Sequence, residues 1–283
     1  MAHQAKISVR NPMAVVIMVD QSGSMWETIA WRDGWKPKCI AVAEIINNLL
    51  EEFVARSRCE SGYKHYYDIM VVGYSGAGVQ SLLADSNSYF VSPEKLVGIV
   101  KETQNVQRQR LMPDGKVAVT NVLQRVWVEA TAHGRTPMRA AFSRVYGEIK
   151  DWCGEHYDSF PPLIINISDG EATDSTEREL VEVVAQIKTL QTSDGEPILM
   201  NIHLSGSSES SIIFPENESE LPEDKYAHLL YSISSKMPDC FAREIAIHFD
   251  HPIVGEYRGM AFNASMSDLV KFINIGSTTV YKL

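Results

Sequence analysis

Five side chains stand out for the chemistry that their types and spacing permit. Asp20, Ser22 and Ser24 alternate within Asp20-Gln21-Ser22-Gly23-Ser24; Thr136 and Asp169 lie far downstream, the latter in Asp169-Gly170. In an extended turn, alternate residues aim their side chains the same way, so the first three present their oxygens together. Hard oxygen donors of this kind suit Mg2+, Mn2+ or Ca2+. Asp20 is the single full charge among the three, so this group alone would hold a cation weakly. Taken alone, Asp-x-Ser-x-Ser is also an ordinary polar cap on a strand-to-helix turn. Thr136 and Asp169 are the residues that lift it above that reading.

Each of the five sits at the end of a predicted element. Val15-Val16-Ile17-Met18-Val19 is a short, almost unbroken apolar run ending at Asp20. Such a run suits a strand buried on both faces of a parallel sheet. Leu163-Ile164-Ile165-Asn166-Ile167-Ser168 repeats the design and ends at Asp169-Gly170. Pro137 suits the first position of a helix, which makes Thr136 its N-cap. In open α/β sheets, ligand sites lie beyond the carboxyl ends of the strands, where Asp20 and Asp169 fall.

The remaining elements follow in βαβ order. Strands are expected at residues 12–20, 66–74, 162–168, 197–204 and 257–262, with a short antiparallel edge strand at 79–83. Helices are expected at 37–57, 93–103, 137–157, 175–192, 225–235, 239–249 and 267–275, from apolar spacing and capping residues. Asp174 or Ser175 is the expected cap of the helix from 175. Residues 25–36, 84–133 and 205–224 read as insertions: a loop carrying Trp26, Trp31 and Trp35, a poorly patterned stretch with a turn at Pro113-Asp114-Gly115, and a Ser/Glu-rich loop pinned by Ile212-Ile213-Phe214. The sequence as a whole implies one α/β domain over 1–283, with a core of about 12–275. It would hold a doubly wound, mostly parallel central sheet with one antiparallel edge strand and helices on both faces.

The set Asp20-x-Ser22-x-Ser24, Thr136 and Asp169-Gly170 resembles, in order and approximate separation, the metal-ion-dependent adhesion site of von Willebrand factor type A domains. The resemblance spans roughly residues 10–275. It is closest to small stand-alone bacterial members, including those of tellurium-resistance type operons. Ser168 stands where many members carry threonine. The resemblance implies a Rossmann-like α/β fold and a Mg2+ (or Mn2+ or Ca2+) site. Ser22 and Ser24 would ligate directly and Thr136 directly or through water, while Asp20 and Asp169 act largely through water. It further implies a protein that is not an enzyme: the ion keeps one position for an acidic residue of a partner protein.

Composition narrows the alternatives. The net charge of −10 argues against a phosphate-tracking nucleic-acid binder and against an anionic membrane surface. No stretch approaches the ~20 apolar residues of a membrane span, and Met1 to Lys6 lacks the apolar core of a signal peptide. Cys39, Cys59, Cys153 and Cys240 form no CxxC pair and read as buried free thiols of a reducing, cytoplasmic compartment. The rival function is a metal-dependent phosphoesterase with Asp20 as nucleophile. In Asp-x-Asp phosphatases of similar topology the second acid protonates the leaving group; Ser22 in that position cannot do so. His133 reads as a loop residue. Gly73-Tyr74-Ser75-Gly76 lacks the spacing of a nucleophile elbow. The three tryptophans have two readings, packing over the first helix or aromatic anchors for a partner at the rim of the site. The first is expected for at least one of them and the second for the others.

Overall fold

The computed structural model describes residues 3–275 except 32–33, 84–88, 112–116, 206–209, 253–254, 266–267 and 274, with the backbone alone at 31, 106–111 and 117–120. The chain opens with β1 (Met13–Asp20), then a 3-10 turn (Gly23–Trp26), β2 (Thr28–Trp31), β3 (Gly34–Pro37) and α1 (Lys38–Ser57). A small hairpin of β4 (Arg58–Cys59) and β5 (Gly62–Tyr63) leads to β6 (Tyr67–Ser75), β7 (Gly78–Ser81) and α2 (Pro93–Gly98). Next come β8 (Glu102–Leu111), β9 (Val117–Val126), α3 (Met138–Glu155), β10 (Leu163–Ser168) and α4 (Glu177–Lys188). β11 (Ile198–His203), β12 (Ile212–Ile213), α5 (Lys225–Ile233), α6 (Asp239–Phe249) and β13 (Met260–Phe262) complete the named elements, and residues 268–273 are helical.

One seven-stranded sheet has the order β12-β13-β11-β10-β1-β6-β7. β6, β1, β10, β11 and β13 run parallel. β7 is the expected antiparallel edge strand, and β12 closes the opposite edge, also antiparallel. Every residue of β1 and β6 is buried. Successive residues of β1 serve opposite layers. Val15, Ile17 and Val19 meet Ile46, Leu49, Leu50 and Phe53 of α1, with Phe241 and Ile245 of α6 and Leu269 and Phe272 near the end. Ala14, Val16 and Met18 meet Ala141, Phe142 and Val145 of α3, Leu180, Val184 and Ile187 of α4, and Leu230 of α5. Two helical layers on one parallel sheet are what strands apolar on both faces require. From β1 the chain winds to β6 on one side and later to β10 on the other. The crevice of the winding reversal therefore lies at the carboxyl ends of β1 and β10.

Several local expectations need correction. Residues 25–36 are not a plain loop: β2 and β3 pair antiparallel from Thr28 and Pro37 to Trp31 and Gly34. The poorly patterned stretch contains a ten-residue hairpin, β8 with β9, in register from Glu102–Val126 to Leu111–Val117. Its turn residues, Pro113-Asp114-Gly115, lie outside the described ones. α2 ends at Gly98 rather than 103. Thr136 is not an N-cap: α3 starts at Met138, and its first-turn amides of Arg139 and Ala140 donate to the Asp174 carboxylate. Asp174 therefore caps α3 from a distance, and Thr176 caps α4 in a capping box with Glu179. Of the four free thiols, Cys39 and Cys153 are buried, but Cys59 and Cys240 are half-buried. Among the described residues, no helix is long and apolar enough to cross a membrane.

Asn47 joins the hairpin base to α1. It is 4% exposed; its Oδ1 accepts from the amides of Trp127 (2.9 Å) and Val128 (3.0 Å), and its Nδ2 donates to the Val128 carbonyl (2.8 Å). Asn47→Ala would strand three buried backbone groups, each costing about 1–3 kcal/mol. We expect a loss of about 3–5 kcal/mol in chemical unfolding, and a loss below about 1 kcal/mol would show that water replaces the side chain.

At the amino end of the sheet, Asp68 accepts from Trp152 Nε1 (3.0 Å) and pairs with His65 Nε2 (2.6 Å). Burial pushes the Asp68 carboxyl up, but the bonds from His65 and Trp152 outweigh it and hold its pKa below the ordinary value. The bond to Asp68 raises the His65 pKa, against burial. Stability from His65 is thus present below its unfolded pKa and lost as pH rises through the raised one. Stability from Asp68 is lost only in acid, as pH falls through the lowered one. His65→Gln should therefore lower the melting temperature more at pH 5.5 than at pH 8.5. An equal loss at both would deny the charged pair.

Candidate metal and partner site

The loops after β1 and β10 and the loop before α3 are tied together by their own backbones. Gly23 N–H donates to the Gly134 carbonyl (3.0 Å), His133 N–H to that of Gln21 (2.7 Å), and Thr173 N–H to that of Thr136 (2.9 Å). Thr136 N–H donates to Thr173 Oγ1 at 2.9 Å. Gly134 is needed here: its φ is +72°, and an added Cβ would stand 2.6 Å from Gly76 Cα. Gly170 is needed for the same two reasons, with φ +128° and His203 Cε1 2.7 Å from an added Cβ. His133 is a loop staple, its Nε2 3.3 Å from Ser75 Oγ.

This frame brings Ser22, Ser24, Thr136 and Asp169 to the wall of one cavity of about 440 Å3. Ser22 Oγ and Ser24 Oγ are 3.0 Å apart. Asp20 lies directly beneath, 1% exposed, its Oδ1 accepting from Ser22 N–H (2.8 Å) and its Oδ2 from Ser168 Oγ (2.8 Å). Although it ends its strand, the acid is enclosed, because β1 extends to Asp20 and pairs there with Tyr74 of β6. Burial pushes its pKa up to about 6, with Asp169 adding to the rise against the hydrogen bonds from Ser22 and Ser168. A buried acid held this high is poorly matched by its surroundings and attracts positive charge.

Of the other residues in the cavity, the sequence marked Glu171 alone, as a group to shape the rim or cap the following helix. Lys38 opens α1, and its side chain is 2% exposed; Nζ sits 2.9 Å from Glu27 Oε2 and 3.2 Å from Asp169 Oδ2. His203, at the end of β11, has Nε2 3.4 Å from Asp224 Oδ2. Burial lowers the His203 pKa despite Asp224. Glu171, Arg135, Thr173 and Tyr226 also line the cavity. Lys38 and His203 sit in the apolar patterns of a helix and a strand, and position alone in those patterns reads as packing. The feature that marks Lys38 is its place directly after Pro37, where a helix begins.

The donor set fits a hard divalent cation. Two neighbouring oxygens on an octahedral Mg2+, each about 2.1 Å from it, stand about 3.0 Å apart, the separation of the two serine hydroxyls. Ser22, Ser24, Thr136 and Asp169 would hold the ion, and Asp20 would supply charge from below. Among the described residues, no three of His, Cys, Asp and Glu gather as a metal cluster. Of the tryptophans, Trp26 is pinned by Nε1–H donating to the Ala132 carbonyl (2.8 Å), though 52% exposed, and Trp35 is 76% exposed. The Trp31 side chain lies outside the described residues.

No family model matches the sequence, and no curated protein does. Among solved structures, the chain is similar to a von Willebrand factor type A protein from Catenulispora acidiphila, at 14% identity and TM-score 0.40, over 69% of this chain and 34% of that one. It is also similar to an uncharacterized membrane spanning protein from Vibrio fischeri, at 12% identity and TM-score 0.27, over 78% of this chain and 85% of that one. The chain thus spans about a third of the length of the first. Likenesses this loose carry no argument about family, and the α/β architecture rests on the strand order and pairing above.

Proposed function

We propose that this protein binds another protein through a divalent cation, Mg2+ or the related Mn2+ or Ca2+, held at the carboxyl ends of β1 and β10. The observation that supports this most is the meeting of Ser22, Ser24, Thr136 and Asp169, from separate loops, above buried Asp20. It agrees with the resemblance to the adhesion site of von Willebrand factor type A domains, of bacterial tellurium-resistance type. When bound, the cation would offer an electrophilic position to a carboxylate. The chain's own part is to hold neutral hydroxyls toward it, keep Asp20 back from direct contact, and expose an aromatic side chain, Trp35, on the β2–β3 hairpin that leads into Lys38. An acidic residue of the partner is the matching group, since an acidic protein would otherwise repel it. A cytoplasmic location belongs to the same proposal.

The phosphoesterase reading needs Asp20 as nucleophile. Both its oxygens accept hydrogen bonds from inside the fold, which favours binding over catalysis. The test is capture of partners from native cell extract with Mg2+ or with chelator, using wild type, Ser24→Ala and Trp35→Ala. We expect a chelator-sensitive partner, lost with Ser24→Ala and weakened at least about tenfold with Trp35→Ala. Capture that ignores chelator, or Mg2+-dependent hydrolysis of a phosphomonoester, would overturn the reading.

A further inference from the structure

Lys38 is an expensive residue to place where it is. Its side chain is buried at the amino end of a helix, where the macrodipole disfavours a cation and no acidic residue lies in the first turn. It reaches past that end to two carboxylates, exposed Glu27 and Asp169 in the cavity wall. We propose that the Lys38 ammonium is a built-in counter-cation, which competes with the divalent ion for Asp169 and so sets the affinity of the site. The inference rests on the metal-binding reading above. Glu27 is the second seat of the competition: what it draws from Lys38 releases Asp169. The same geometry makes Lys38 a recognition group. Once Asp169 is engaged elsewhere, the ammonium faces a cavity into which a partner's carboxylate would come, and pairing there would couple partner binding to cation binding.

The experiment is calorimetric titration of Mg2+, with Mn2+ paramagnetic resonance as a second readout, on wild type, Lys38→Met, Glu27→Gln and the double variant. Methionine keeps the length and flexibility of the lysine stem without its charge. We expect Lys38→Met to bind Mg2+ about tenfold more tightly and Glu27→Gln about threefold more weakly. In the Lys38→Met background, Glu27→Gln should change affinity less than about twofold, because its effect acts through the ammonium. Glu27 is exposed, so that variant keeps the test alive if Lys38→Met fails to fold: Mg2+ affinity unchanged in Glu27→Gln overturns the competition. Wild-type binding with no gain in Lys38→Met also overturns it and leaves the metal reading standing. A Glu27→Gln loss equal in both backgrounds reduces Glu27 to a general field and overturns it too. Absence of Mg2+ and Mn2+ binding in wild type and Lys38→Met alike overturns the metal reading itself.

Discussion

Saturating Mg2+ should raise the melting temperature of the wild-type protein by about 5–10 °C, and Ser22→Ala should erase the rise. A ligand that binds only the folded chain stabilises it by about 2.7 kcal/mol at a hundred times its dissociation constant. For a domain of this size, about 1 kcal/mol moves the midpoint by about 2–4 °C. The unfolded chain cannot compete, since the donors lie more than a hundred residues apart, from Ser22 to Thr136 and Asp169. Ser22→Ala removes a hydroxyl that lies 3.0 Å from Ser24 Oγ and also supports the buried Asp20 carboxylate, while Ser24, being exposed, regains water. The variant should therefore fold with about 1–3 kcal/mol of loss in the absence of metal, and its response to Mg2+ is read against its own metal-free midpoint. The measurement is thermal unfolding with Mg2+ against Na+ at matched ionic strength. A wild-type midpoint that does not move, or a Ser22→Ala midpoint that moves as far as wild type, would sink the assignment.

How much of this was legible depended on whether a residue's neighbours in sequence are its neighbours in function. β1 and β10 were legible because strands buried on both faces are apolar almost throughout; Asn166 in mid-β10 is the exception, satisfied by Tyr74 and Asn201. Of the five proposed metal residues, Asp20, Ser22 and Ser24 stood out as the polar end of β1 and the turn after it, Asp169 as the residue after β10, and Thr136 as the residue before an expected helix start. The β8–β9 hairpin was not legible, because Gln104, Asn105, Gln124 and Arg125 give neither face a continuous apolar row. What fastens its base is specific: Arg125 forks onto Glu51 at 2.7 and 3.0 Å, and Asn47 clamps Trp127 and Val128 just past β9. A polar residue inside an apolar helical stripe looks like noise until its partner, eighty residues away, is in view. Asp174 was assigned the right role on the wrong helix for the same reason: capping of α4 is local, while capping of α3 depends on how the loop after β10 folds back. Lys38 was not legible because it lies outside the three ligand segments, and only the packing of α1 delivers it to Asp169.

Asp20→Asn should stabilise the metal-free protein at neutral pH, and Asp20→Ala should not. Raising a carboxyl from 3.8 to about 6 by burial corresponds to about 3 kcal/mol that the ionised acid costs the fold near pH 7. Asparagine removes the charge and keeps the shape. Its Oδ1 can still accept from Ser22 N–H, and its Nδ2 can donate to Ser168 Oγ in place of Oδ2. The proton of Ser168 then loses its acceptor, at about 1 kcal/mol, so a net gain of about 2 kcal/mol remains. Alanine also removes the charge, but it leaves Ser22 N–H and Ser168 O–H unpaired where both residues are buried, at 2% and 0% exposure. That penalty, about 1–3 kcal/mol for each group, cancels the relief or exceeds it. Chemical unfolding in chelator should thus rank Asp20→Asn above wild type and above Asp20→Ala by about 2–4 kcal/mol, with the Mg2+ response lost in both variants. If Asp20→Asn is less stable than wild type in chelator, the ionised acid is already balanced within the fold, and the demand for a cation at this site disappears with it.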